Sequence, residues 1–173
     1  MDEQHSDYTD HRSDYRFASR DLRLAGLATP SHHRMHRAEL HHFVDGLRLS
    51  PRLAGIGEHE LRVLARECHW FSYPPRWAVM AEASHDDVCF LVTEGSLHLQ
   101  HDGELTGTAG PGDILGLCAL TGCSAPTTVV TDTRVRGIAI PAGALRRVLS
   151  PAEHAPAVTH PVRVAEEPVP AAR

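Results

Sequence analysis

Leu40, Phe43, Val44 and Leu47 recur at i, i+3, i+4 and i+7, the spacing of one helix face, and predict a helix over His33–Leu47 that ends near Gly46. Leu61, Leu64, Ala65 and Cys68 repeat the pattern and predict a second helix from Glu58 to about Cys68, with Glu58 and Glu60 in the first turn, where the helix dipole favours acids. The period then shortens. Trp70–Tyr73 is stopped by Pro74-Pro75, Trp77–Met80 follows, and Asp86-Asp87 opens the apolar run Val88–Val92 before the turn Glu94-Gly95. Ser96–Gln100 alternates polar and apolar, as a strand with one buried face does, and Asp102-Gly103 is a strong hairpin signal. Gly110–Asp113 is a turn into Ile114-Leu115. After it comes a small-residue excursion, then the β-branched run Thr127–Val130. Arg134–Ile140 alternates with Val135, Gly137 and Ala139 on one face, and Ala142–Leu149 closes as a short helix burying Leu145, Val148 and Leu149. Short strands separated by turn signals predict an α+β, mainly β fold: a double-stranded β-helix, or jelly-roll-like β-roll, flanked by short helices.

The pattern also divides the chain. Residues 1–30 carry no usable periodicity and are rich in Asp, Ser, Arg and His, which predicts a disordered N-terminal arm. Residues 151–173 hold prolines at 151, 156, 161, 168 and 170, which rule out a long helix and predict a second disordered, Pro-rich tail. The folded domain is expected over 31–150.

At 173 residues the chain has room for one such domain and its arms, and 42% hydrophobic with 5% aromatic residues means an aliphatic core. A net charge of −5 argues against a nucleic-acid binder, and no apolar run approaches the roughly 20 residues of a membrane span. The N-terminus is polar and acidic, unlike a secretory signal, so a cytoplasmic location is expected, with Cys68, Cys89, Cys118 and Cys123 as reduced thiols.

Gly116-Leu117-Cys118-Ala119-Leu120, followed by Ala125-Pro126-Thr127-Thr128, is the segment best built to wrap a small ligand. Two other groups carry chemistry. His32, His33 and His36 crowd the first helix, with His32 and His36 one turn apart, a spacing suited to a divalent metal; the alternative is a solvated basic face shared with Arg34 and Arg37. Cys118 and Cys123 flank the small-residue segment and, with Cys89, present either a redox pair, a metal site or ordinary core residues. A metal-dependent β-roll enzyme would need inward-facing ligands, but His98 and His101 are three apart on a strand and point to opposite faces, so His98, His101 and Glu104 do not form that triad. No catalytic arrangement emerges, and no cofactor is called for.

Leu53–Ile56 with Glu60-Leu61, Tyr73-Pro74, Phe90-Leu91-Val92 with Gly95, Gly110–Gly116 and Val129-Val130 stand in the order of a known pattern. On these, residues 47–149 resemble the cyclic-nucleotide-binding domain of the catabolite activator and Fnr (Crp/Fnr) regulator superfamily. The resemblance implies a helix, an eight-stranded β-roll and a closing helix, with residues 116–128 as a phosphate-binding cassette. In that family a cassette glutamate takes a ribose hydroxyl and a cassette arginine pairs with the cyclic phosphate. Here Gly116, Ala119 and Leu120 match, but Leu117 stands at the glutamate position and Ala125 at the arginine position, and no Arg or Lys lies between His101 and Arg134. Charge-assisted hydrogen bonds contribute roughly 1.5–3 kcal/mol each, so losing both costs on the order of 10²–10⁴ in affinity. Ala83 also replaces the glycine usual in the turn before Asp87, and Pro151 stands where the regulators continue into a dimerising helix and a helix-turn-helix. The expectation is a non-catalytic regulatory module that does not bind cAMP in the usual mode, holds another small molecule or packs its pocket with Leu117 and Cys118, and acts through a protein partner, with no specific DNA binding and no membrane. The alternatives are a metal- or redox-responsive sensor and an atypical nucleotide site. The oligomeric state is left open.

Overall fold

The computed structural model describes residues 37–149 and the backbone of Arg16–Phe17. The arms expected over 1–30 and 151–173 otherwise lie outside the described residues, as do His32, His33 and His36 and the start of the first predicted helix.

Helix α1 spans Arg37–Leu47 and α2 spans Glu58–Ala65, joined by a 3₁₀ turn at Pro51–Leu53. Phe43, Val44 and Leu47 of α1 and Leu61, Leu64 and Ala65 of α2 are buried, as their periodicity requires. Helix α2 stops short of Cys68 because the chain tightens into i→i−3 bonds, Glu67 N–H to Leu64 O and Cys68 N–H to Ala65 O. Cys68 is still buried.

Among the described residues, nine strands form two sheets: β1 Arg16–Phe17, β2 His69–Tyr73, β3 Trp77–Met80, β4 Val88–Glu94, β5 Leu97–His101, β6 Glu104–Ala109, β7 Ile114–Leu115, β8 Thr128–Thr131 and β9 Val135–Pro141. One sheet has the order β1-β3-β8-β5-β6, the other β2-β9-β4-β7. All pairings are antiparallel except β1 with β3, where Arg16 and Phe17 lie beside Trp77 and Ala78. That pairing puts two residues of the expected arm into a sheet. Asp102 and Gly103 both take positive φ, 51° and 84°, the left-handed pair that turns a tight hairpin and returns the chain along β6. Helix α3, Ala142–Val148, closes the domain.

The alternation in β5 holds, with Leu97 and Leu99 buried between half-exposed His98 and Gln100. In β9 it does not: Gly137 through Ile140 are all buried. The reason is position. Strand β9 lies inside its sheet, with Val135 and Ala139 turned to the interior of the roll and Ile138 and Ile140 packed against the helices. Strand β4 is divided the same way, Phe90 and Val92 inward, Cys89 and Leu91 toward the helices. The result is two cores on the two faces of one sheet, an aliphatic one under α1–α3 and a roll interior with Phe90 at its centre.

Candidate functional site: the cavity of the roll

The turn from Gly110 to Asp113 sets the site's geometry. Asp113 Oδ2 accepts the Gly110 N–H at 2.8 Å, and Gly112 N–H and Asp113 O both bond to Val92, which locks the turn onto β4. The chain then runs through β7 and turns at Gly116, whose φ of 77° is left-handed. Leu117–Leu120 follow as one 3₁₀ turn, with Ala119 N–H to Gly116 O at 3.0 Å and Thr121 N–H to Cys118 O at 3.1 Å. Its carbonyl end is held from outside: Arg146 of α3 donates to Ala119 O at 3.2 Å. Beyond the loop, Ala125 is clamped by two backbone bonds of 2.8 Å, Ala125 N–H to Ser84 O and Ala83 N–H to Ala125 O. Ala83 is left-handed at φ 60°, an uncommon conformation for a residue with a Cβ. Pro126 is tied to the hairpin, since its carbonyl oxygen lies 3.2 Å from His101 Nδ1, itself 2.7 Å from Glu82 Oε1.

These elements enclose a cavity of about 400 Å³. Met80, Leu99, Val129 and Ala109 supply its sheet wall, Ile114 to Cys118 a second wall, and Pro126 and Thr127 another edge; Ser50, Pro51 and Arg52 face it from the turn between α1 and α2. The expected cassette residues therefore behave differently from one another. Gly116, Leu117, Cys118, Pro126 and Thr127 line the cavity, whereas Ala119, Leu120, Ala125 and Thr128 do not. Leu117 is 3% exposed and packs with the helix core, and Ala125 is 3% exposed and packs with the roll interior. Thr128 Oγ1 instead accepts the Glu82 N–H at 3.1 Å.

The cysteines are free thiols. Burial pushes Cys68 and Cys89 up to about 12, reinforced by Glu67 at Cys68 and by Cys118 at Cys89, so both stay protonated at neutral pH. Burial also raises Cys118, while Cys123 is exposed. Thiolate chemistry is disfavoured at the three raised thiols. Among the described residues no cluster of three or more His, Cys, Asp or Glu is arranged for a metal, so Cys89, Cys118 and Cys123 do not form the metal site considered for them.

Arg52 is one of several lining residues that local sequence reasoning missed, with Ser50, Met80 and Leu99. It comes from a turn more than 60 positions before the cassette, and a Ser-Pro step marks that turn without showing what it faces.

A two-sheet roll with helices on one side and a cavity beneath a short 3₁₀ segment defines the class of β-roll domains. Residues 70–151 match the model of the cyclic nucleotide-binding domain family. No curated protein matches the chain by sequence. Solved structures share the fold. The regulatory domain of Toxoplasma gondii protein kinase A with cAMP is 18% identical at a TM-score of 0.61, over 68% of this chain and 47% of that one. The regulatory subunit of a cAMP-independent protein kinase A from Trypanosoma brucei is 17% identical at 0.61, over 66% and 42%. A cyclic nucleotide-binding-like protein from Brucella abortus is 23% identical at 0.53, over 61% and 96%. The chain thus spans less than half the length of the two kinase regulatory structures. Among the described residues no helix is long and apolar enough to cross a membrane.

Proposed function

We propose that this chain is a non-catalytic regulatory protein whose roll binds a small, largely apolar molecule instead of a cyclic nucleotide and passes the bound state to a protein partner. One observation carries the reading: Leu117 and Ala125, at the positions that would hold ribose and phosphate, are buried core residues, and the cassette brings no carboxylate or guanidinium to the cavity. A cyclic phosphate seated there would lose its ion pair and be desolvated against aliphatic side chains. The cavity itself is kept open by the locked turns at Gly110–Asp113 and Ala83–Ala125, so the fold retains room for an occupant.

The Trypanosoma brucei structures support a roll whose ligand choice turns on a few side chains. That regulatory subunit belongs to a cAMP-independent kinase, and a triple mutant of it is bound to cAMP in its A site. In the same reading, residues 1–30 and 151–173 are arms around a domain of 31–150, the location is cytoplasmic, and the arms or the helix face meet the partner. A thermal-shift screen of the whole chain tests the proposal, since a ligand specific for the folded state raises its midpoint. Apolar organic molecules are expected to raise it and cAMP and cGMP to leave it unchanged; the opposite ranking contradicts the proposal.

A further inference from the structure

The 3₁₀ turn of the cassette ends in a way that brings two cysteines together. Gly122 is left-handed at φ 73°; its N–H bonds back to Ala119 O at 3.4 Å, and the Cys123 N–H bonds to Cys118 O at 3.1 Å. This nested pair of bonds around a left-handed glycine is a common helix ending, and a contact between the side chains of its first and sixth residues frequently accompanies it. Here those residues are Cys118 and Cys123. With standard bond lengths the 3.1 Å bond keeps their Cα atoms within about 7 Å, a limit that the turned-back chain shortens. Disulfides span about 4.4–6.8 Å between Cα atoms. Burial is the main cause that holds the Cys118 thiol above its ordinary range, and the neighbouring Asp86 and Cys123 raise it further. The two thiols differ in access. Cys123 is exposed and lines a surface cleft with His85, Asp86, Asp87 and Arg146, while half-buried Cys118 lines the roll cavity.

We propose that Cys118 and Cys123 are a reversible modification site, closing into an intrachain disulfide by exchange with a low-molecular-weight disulfide, RSSR. The Cys123 thiolate attacks one sulfur of RSSR, the reagent's S–S bond breaks, and RS⁻ leaves and takes up a proton. The Cys118 thiolate then attacks Cys123 Sγ in the mixed disulfide and expels the second RS⁻. Two protein thiols are oxidised, and one RSSR is reduced to two RSH. The second step draws on a small thiolate fraction, but it is intramolecular, between sulfurs carried on one turn. Cys89 does not compete. It is fully buried toward the helices, and its thiol donates to Gly116 O at 3.4 Å. The bond ties a residue of the cavity wall to the outer surface, so the redox state of the surroundings reaches the cassette. In a reducing compartment such a bond is transient and reports oxidant. The site is independent of what the cavity holds.

The test is incubation of the whole reduced chain with hydroxyethyl disulfide at pH 8, quenching with iodoacetamide in denaturant, and measurement of the intact mass. Two thiols should escape alkylation with no reagent left attached, and dithiothreitol should restore both. Cys118→Ser should stop at one mixed disulfide, and Cys123→Ser should react at least about tenfold more slowly than the parent. A parent that does not react, stops at the mixed disulfide or links two chains would overturn the proposal. So would an intrachain bond that still forms in Cys118→Ser or Cys123→Ser, since it would place Cys89 or Cys68 in the pair.

Discussion

Replacing Gly116 with alanine should destabilise the domain far more than the same change at Gly122, although both residues are left-handed, at φ 77° and 73°. A Cβ costs about 1–2 kcal/mol in that conformation, offset by roughly 0.5 kcal/mol from the stiffer unfolded chain, so each variant carries a loss of about 1 kcal/mol from the backbone alone. Gly122 is exposed and a Cβ there meets nothing within 4 Å. At Gly116 the Cβ would lie 2.7 Å from Met80 Cε and 3.0 Å from the Val88 carbonyl oxygen. The methionine tip can swing aside, but the β4 backbone cannot move without disturbing its pairing with β9. That overpacking adds about 1–3 kcal/mol. Gly116→Ala should therefore cost about 2–4 kcal/mol, or roughly 6–12 °C in melting temperature for a chain of this size. Urea denaturation of both variants gives the comparison directly. Equal losses for Gly116→Ala and Gly122→Ala would mean that the cassette does not approach β3 and β4 as closely as described. Ala83→Gly is the converse case: it relieves a left-handed alanine at φ 60° and should stabilise by about 0.5 kcal/mol.

The buried thiols should make the protein alkali-sensitive. Cys68 and Cys89 are raised from 9.0 to about 12 in the folded state, so between those values the unfolded chain has lost protons that the folded chain keeps. Stability is then unaffected below pH 9 and falls as pH rises toward 12, by up to roughly 1.4 kcal/mol per pH unit per thiol. The chain contains no lysine, and its three tyrosines are common to both proteins, so urea midpoints at pH 8, 10 and 11 should fall less steeply in the Cys68→Ala/Cys89→Ala variant than in the parent. An alkylating reagent at pH 8 should label exposed Cys123 first, half-buried Cys118 more slowly, and Cys68 and Cys89 only in denaturant; early labelling of Cys89 would contradict the packing behind the cassette. A chain trimmed to residues 31–150 should stay folded and lose no more than about 1 kcal/mol, since Arg16–Phe17 contribute a two-residue edge pairing; a melting temperature below 25 °C would show that the arms are structural.

Residues with one covered face were legible in the sequence. The apolar faces of α1 and α2 and the alternation of β5 each have a single period set by a single interface. Strands β4 and β9 were legible as strands, but β9's faces were not, because helices cover one side of their sheet and the roll interior the other. The hairpin at Asp102-Gly103 announced a returning strand, yet the bounds of β6 did not show, since Glu104, Leu105 and Thr106 are all exposed on an edge. The cassette could be located from Gly110–Gly116 and its neighbours. Which of its residues turn to the cavity could not, because Ala125 is drawn inward by its clamp to Ala83 and Ser84. Arg52 and Ser50 reach the cavity through the tertiary docking of α1 and α2, which no local pattern encodes.

The most direct measurement is isothermal calorimetry of the whole chain with cAMP at physiological salt. With Leu117 and Ala125 in the core and no cassette ion pair, heats should be absent or fit a dissociation constant weaker than about 10 μM, corresponding to less than roughly 7 kcal/mol of binding free energy. A saturating one-to-one isotherm tighter than that would contradict the account and place a nucleotide in the roll despite its aliphatic cassette.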